Sequence, residues 1–159
     1  MSKLKVVVLL LSFMFTVWVA CGEDPVGTDP NTELVEDSLK NAKILWQENG
    51  DSTYIIEQSV GCFSPIVLLH GLVRLSVEND SIVKGVRTDD NFELEQSELG
   101  LYRTIPELFN VIANAENADI LDVTYDSLYG YPLHIFVNPH LDCYDEERSY
   151  RTRLIQADN

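Results

Sequence analysis

The period of the hydrophobic pattern switches three times along this chain, and that switching limits the fold more than any single motif does. Val35, Leu39, Ala42 and Trp46 recur at helical spacing, with Leu45 beside them. Glu33, Glu36 and Asp37 suit the positive end of a helix dipole, and Asn49-Gly50 supplies the stop. The period then drops to two. Thr53 to Val60 is rich in β-branched and aromatic residues, and Val73, Leu75 and Val77 alternate with Arg74, Ser76 and Glu78. Asn79-Asp80 marks a turn, and Ile82 to Val86 returns as the partner strand. Pro65 to Leu72 fits either an extension of the second strand or a buried loop.

Thr88 to Arg103 is polar and acidic and reads as a long loop with one turn of helix. Thr104-Ile105-Pro106-Glu107 is a capping box: the Thr104 hydroxyl can accept from the Glu107 amide while the Glu107 carboxylate reaches back to the amide of Thr104. Pro106 falls in the first turn, where its missing N–H costs nothing. Ile105, Leu108, Phe109 and Ile112 form the apolar stripe of the helix that follows. Ile120 to Asp126 alternates again, Leu133 to Val137 is the next strand and Ser149 to Ile155 the last. The expected architecture is α+β, in the order α-β-β-β-α-β-β-β, with two helices packed on one face of an antiparallel sheet.

The first residues give an address. Lys3 and Lys5 precede an apolar run from Val6 to Val19, and Ala20, Cys21 and Gly22 follow. A basic start, a short apolar stretch and a small residue before the cut describe an export signal over residues 1–20. The run is short for a membrane span, which needs about 20 residues. A cysteine after the small residue is similar to the lipobox of bacterial lipoproteins, with Trp18 where leucine is usual and Val19 and Ala20 in keeping. In that family the Cys21 thiol takes a diacylglycerol and becomes the new N-terminus. The expected lipid partner is therefore a membrane reached through acylated Cys21, in the periplasm or on the outer-membrane face. Cleavage after Gly22, which would discard Cys21 and free the protein, and an uncleaved anchor are the other outcomes of the same segment. Residues 21–31 form an acidic tether carrying Pro25, Pro30, Gly22 and Gly27. Residues 32–157 are then one domain, long enough to bury a core without metals or many staples.

Loss of Lys3 and Lys5 takes the formal charge from −15 to −17. Such a field repels nucleic acid and excludes it as a partner. Solubility is the simpler reading of the acidity. With Cys21 acylated, Cys62 and Cys143 remain as an even pair in an oxidising compartment. A bridge between them would close a loop of about 80 residues, worth roughly 4 kcal/mol on the chain-entropy model. Two separate thiols behaving as small hydrophobes are the alternative.

These elements, taken in order, resemble a family of uncharacterised bacterial lipoproteins carrying domain of unknown function 6174. The resemblance runs from about Lys40 to Ile155. It is carried by the helix ending in Trp46, the Tyr54 strand running to Cys62, the Val73–Val77 hairpin, Thr104-Ile105-Pro106-Glu107-Leu108-Phe109, Val123-Thr124-Tyr125-Asp126 and Tyr129-Gly130-Tyr131-Pro132. This chain departs from the pattern at Glu78-Asn79-Asp80-Ser81, where Asp-Gly is common, and at Phe63-Ser64-Pro65, where some relatives carry another cysteine. The resemblance implies a compartment and a rough fold. It implies no reaction, ligand or catalytic residue.

Little else in the chain points to chemistry. No Gly-x-Ser-x-Gly elbow or glycine-rich phosphate cradle is present, and no motif asks for a cofactor. His140-Leu141-Asp142-Cys143 places three potential metal ligands within one short segment, but zinc sites usually draw on two such segments, so no metal is expected. The acidic run Asp89, Asp90, Glu93, Glu95 and Glu98 lacks the spacing of a calcium loop. Tyr129, Gly130, Tyr131 and Pro132 form the most distinctive local motif, read either as an aromatic contact surface at a hairpin tip or as a tight turn. The expected function is a non-enzymatic, membrane-anchored binding or interaction module. An envelope hydrolase, with His140, Asp142 and Glu146 as the first place to look, and a structural envelope component are the alternatives.

Overall fold

The computed structural model describes residues 30–62, 71–143 and 145–157. The expected export signal, Cys21, most of the tether and most of the ambiguous Pro65–Leu72 segment lie outside them. The elements run α1 (Pro30–Asn49), β1 (Tyr54–Gly61), β2 (Val73–Glu78), β3 (Ser81–Arg87), α2 (Gln96–Leu99), α3 (Ile105–Ala113), β4 (Ile120–Tyr125), β5 (Pro132–Asn138) and β6 (Arg148–Ala157). The class is α+β, and all six strands join one antiparallel sheet in the order β3-β2-β1-β6-β5-β4. Two points differ from the sequence reading. The turn of helix read in the Thr88–Arg103 loop is α2, and counting it makes a third helix beyond the two of the expected order. α1 starts at Pro30, so the last two residues assigned to the tether are helical; proline, with φ already fixed near the helical value, is well suited to a first helical position.

The sheet consists of two meanders, β1-β2-β3 and β4-β5-β6, joined where β1 pairs with β6 from Tyr54↔Ala157 to Gly61↔Ser149. The first meander ends at one edge of the sheet and the second begins at the other. The chain between them therefore crosses the whole sheet, and α3 lies on that crossing. Its start leaves no first-turn amide idle. Glu107 N–H donates to Thr104 Oγ1 at 3.4 Å, Thr104 N–H donates to Glu107 Oε2 at 2.8 Å, and Ile105 N–H donates to the Tyr54 hydroxyl at 2.9 Å. The capping box read from the sequence is thus formed, with a third bond supplied by β1.

Ile105, Leu108, Phe109 and Ile112 are buried, in one cluster with Tyr54, Ile56, Leu75, Val77, Ile135 and Tyr150 of the sheet. Trp46 of α1 enters the same cluster, edge-on to Tyr54 (ring centroids 5.3 Å apart) and to Tyr131 (6.4 Å). Edge-to-face pairs of this kind add about 0.5–1.5 kcal/mol each beyond burial. No helix among the described residues is long and apolar enough to cross a membrane.

Candidate functional site

The connection from β5 to β6 collects most of the chemistry-bearing side chains that the sequence singled out. It leaves the sheet at Asn138 and returns at Arg148. Leu141 N–H donates to Asp119 Oδ2 at 2.7 Å, which fastens the segment to the start of β4, and Cys143 N–H donates to His140 O at 3.0 Å, which folds it into a turn. His140 Nδ1 then lies 2.8 Å from Glu146 Oε2, and both side chains stay exposed. The Glu146 carboxylate beside His140 raises the imidazole pKa above its ordinary value, first through the hydrogen bond and then through its charge. Asp142, the third residue expected here, is exposed and forms no part of this pair.

Behind this pair a cavity of about 660 Å³ runs between the C-terminal end of α3 and the β5–β6 end of the sheet. Val111, Ala115, Ala118, Val137 and Tyr150 give it apolar and aromatic walls, and Asn114, Asn117, Arg103, Arg148, His140, Asp145 and Glu146 give it polar ones. Arg103 is held by its Nη1, which donates to Gly100 O and Tyr102 O at 2.7 Å each. Arg148 makes no ion pair among the described residues. Asn138, next to the connection, is buried, and its Oδ1 has no hydrogen-bond partner among the described residues. A second hollow of about 670 Å³ lies between the end of α1 and the start of α3, lined by Lys43, Trp46, Asp51 and Phe109 among others. It contains none of the residues that the sequence singled out for chemistry.

The expected bridge between Cys62 and Cys143 is not formed; both are free thiols, Cys62 half-buried and Cys143 exposed. Cys143 Sγ is grouped instead with His140 and Glu146, and Cys62 follows the end of β1, where Gly61 pairs with Ser149.

The Tyr129–Pro132 motif also takes its structural reading. Asp126 organises the β4–β5 turn: its Oδ1 accepts from Leu128 N–H at 2.9 Å and from Tyr129 N–H at 2.8 Å, and its carbonyl accepts from Gly130 N–H at 3.0 Å. Gly130 has φ +77°, and a Cβ there would stand 2.3 Å from Ala42 O, so the turn is pressed against α1. Gly130, Tyr131 and Pro132 are buried and Tyr129 is half-buried, which leaves Leu128 as the exposed apolar residue at the tip. The Tyr131 hydroxyl accepts from Leu154 N–H at 3.1 Å. Three of these four residues thus hold the fold together rather than offering a contact surface.

Sequence reasoning missed the most deeply buried acid among the described residues. Glu57 on β1 is 3% exposed, on the face of the sheet opposite Ile56 and Leu75. Its Oε1 accepts from Arg74 Nη2 at 2.8 Å and its Oε2 from Arg153 Nη2 at 2.5 Å. The two guanidinium groups hold its carboxyl below the usual carboxylate range. The available signal was weak: Arg74 and Arg153 alternate outward on their own strands, but the pairing that brings them to Glu57 is long-range.

The model of the family of unknown function DUF6174 matches residues 38–157, and the chain belongs to that family. No curated protein and no solved structure matches the chain.

Proposed function

We propose that this family member is a lipid-anchored, non-enzymatic binding module of a bacterial cell envelope. It is held to the membrane through acylated Cys21 and takes a small ligand in the cavity at the β5–β6 end of the sheet. In this reading α1 and α3 lie on one face of the sheet, and the face carrying Glu57, Arg74 and Arg153 carries no helix among the described residues. The observation that carries it is the cavity. Its volume of about 660 Å³ is within the usual range for small-molecule sites, and apolar walls with a few polar groups are the usual lining. The lining carries two cations, Arg103 and Arg148, and two acids, Asp145 and Glu146, which suits a ligand with polar groups of both signs. The anchor reading is supported by the Lys3–Gly22 pattern; at about 0.8 kcal/mol per buried CH₂, two or more acyl chains hold a protein on a bilayer stably.

Native mass spectrometry of the protein purified from envelopes tests the ligand, with Arg148→Glu as the paired variant. A small-molecule adduct on the parent that is lost in the variant supports the reading. The same spectrum from both proteins, with no adduct above background, overturns it. Fractionation of Cys21→Ala tests the anchor separately: the variant is expected in the soluble fraction, and retention in membranes equal to the parent's sinks that half. One observation favours a second reading, an envelope hydrolase. His140, oriented by Glu146 at the cavity rim, has the geometry of a general base held by a carboxylate. Turnover of envelope extract that disappears in His140→Ala would put the hydrolase first.

A further inference from the structure

The β5–β6 connection holds a grouping that neither the cavity nor the His140–Glu146 pair uses in full. A ring nitrogen of His140, the Sγ of Cys143 and a carboxylate oxygen of Glu146 all lie within 4.8 Å of one another, and all three residues are exposed. Two backbone-anchored contacts, Cys143 N–H to His140 O and Leu141 N–H to Asp119 Oδ2, set the turn that brings them together. We propose that His140, Cys143 and Glu146 form a three-ligand site for a zinc-type divalent cation.

The ligand set selects the ion class. Magnesium and calcium take oxygen donors almost exclusively. A thiolate with an imidazole and one carboxylate suits zinc or its cobalt substitute. Zn–S bonds of about 2.3 Å and Zn–N and Zn–O bonds of about 2.0–2.2 Å put tetrahedral ligands roughly 3.2–3.7 Å apart. A group already inside 4.8 Å reaches that spacing by side-chain rotation. Binding replaces protons with metal: the Cys143 thiol proton passes to water, His140 coordinates through one ring nitrogen and keeps its proton on the other (an imidazolium sheds its second proton to water), and the three donors coordinate as thiolate, neutral imidazole and carboxylate. Three protein ligands leave a fourth position, which water fills. The site shares His140 and Glu146 with the cavity wall, but the ion needs neither the lipid anchor nor a ligand in the cavity.

The test uses the full chain in detergent, reduced with a phosphine that does not chelate. It is titrated with Zn²⁺ by calorimetry and with Co²⁺ by absorption. One ion per chain is expected, with proton release and a thiolate-to-cobalt charge-transfer band in the near ultraviolet. Cys143→Ser should abolish the band. His140→Gln and Cys143→Ser should each weaken Zn²⁺ binding by more than about 100-fold, beyond the cost of disturbing a supporting residue. Cys62→Ser and Cys21→Ala should keep both band and affinity. Cys143 is exposed and its backbone amide carries the only bond described for it, so the serine variant keeps the fold. Failure of the parent to bind Zn²⁺, a band that survives Cys143→Ser, or a band lost in Cys62→Ser overturns the proposal.

Discussion

The side-chain amide of Gln58 clasps the backbone of Arg103 as a neighbouring strand would. Its Nε2 donates to Arg103 O at 3.0 Å and its Oε1 accepts from Arg103 N–H at 2.9 Å. Gln58 is fully buried, and Nε2 also donates to Thr152 Oγ1 at 3.2 Å. One side chain thus ties β1, β6 and the approach to α3 together, and it sets where Arg103 enters the cavity wall.

Gln58→Leu keeps the volume and removes every one of these bonds. An unpaired buried polar group costs about 1–3 kcal/mol, and the variant strands Arg103's amide and carbonyl together, so a loss of roughly 2–4 kcal/mol is expected. Urea unfolding should show a lower midpoint with an unchanged slope. A midpoint equal to the parent's would mean that water replaces the amide.

Tyr54→Phe tests the other bond from β1 to α3. It leaves the Ile105 amide without its acceptor at a helix start, for an expected cost of about 1–2 kcal/mol. The same burial gives the tyrosines an alkaline signature. Desolvation is the main cause that raises the Tyr54 hydroxyl far above its ordinary value and pushes Tyr102 up to about 12. The unfolded chain ionises at the ordinary value near 10 while the folded chain resists. The contribution is therefore complete below pH about 10 and is lost as pH rises from there through the folded value. Tyrosine absorbance should rise in two stages, the later one coinciding with unfolding.

Glu57 sets the acid limb with the opposite sign. Hydrogen bonds from Arg74, and then from Arg153, lower its pKa. Its contribution is present above the ordinary carboxylate value and is lost as pH falls through the lower folded value, that is, below pH about 4. Glu57→Gln should flatten the decline of the urea midpoint in that window. A parallel decline in parent and variant would assign the acid sensitivity to other carboxylates.

Gly130→Ala and Gly71→Ala separate contact from backbone. Both glycines have positive φ, +77° and +59°, but a Cβ at Gly130 meets Ala42 O at 2.3 Å whereas one at Gly71 meets nothing within 4 Å among the described residues. Gly71→Ala should cost about 1 kcal/mol, the left-handed backbone penalty alone. Gly130→Ala should cost more than about 2 kcal/mol, because α1 must also move away. Equal melting shifts for the two would show that the turn is not pressed on α1 in solution.

What the sequence made legible was local. The Thr104–Glu107 box, the stripe from Ile105 to Ile112 and the alternation in β2 all arise from neighbours within a few residues, and the structure has them where the pattern puts them. What it hid was long-range. Glu57 and Gln58 are adjacent and both buried because β1 is covered on one face by the core and on the other by Arg74 and Arg153. Alternation alone cannot announce a strand buried on both sides. The candidate site was half legible. His140, Asp142 and Cys143 stood out as potential ligands of one segment and Glu146 beside them, but the turn set by Asp119 and the His140 carbonyl decides which of them meet, and it groups Cys143 rather than Asp142 with His140 and Glu146.

The last strand in chain order, β6, sits in the middle of the sheet, between β1 and β5. A nascent chain that has made only the first meander must carry β1 with a naked hydrogen-bonding edge until the final segment arrives. Premature truncation before Arg148 would leave two half-sheets with matching sticky margins, and self-association through them is the natural fate of such fragments.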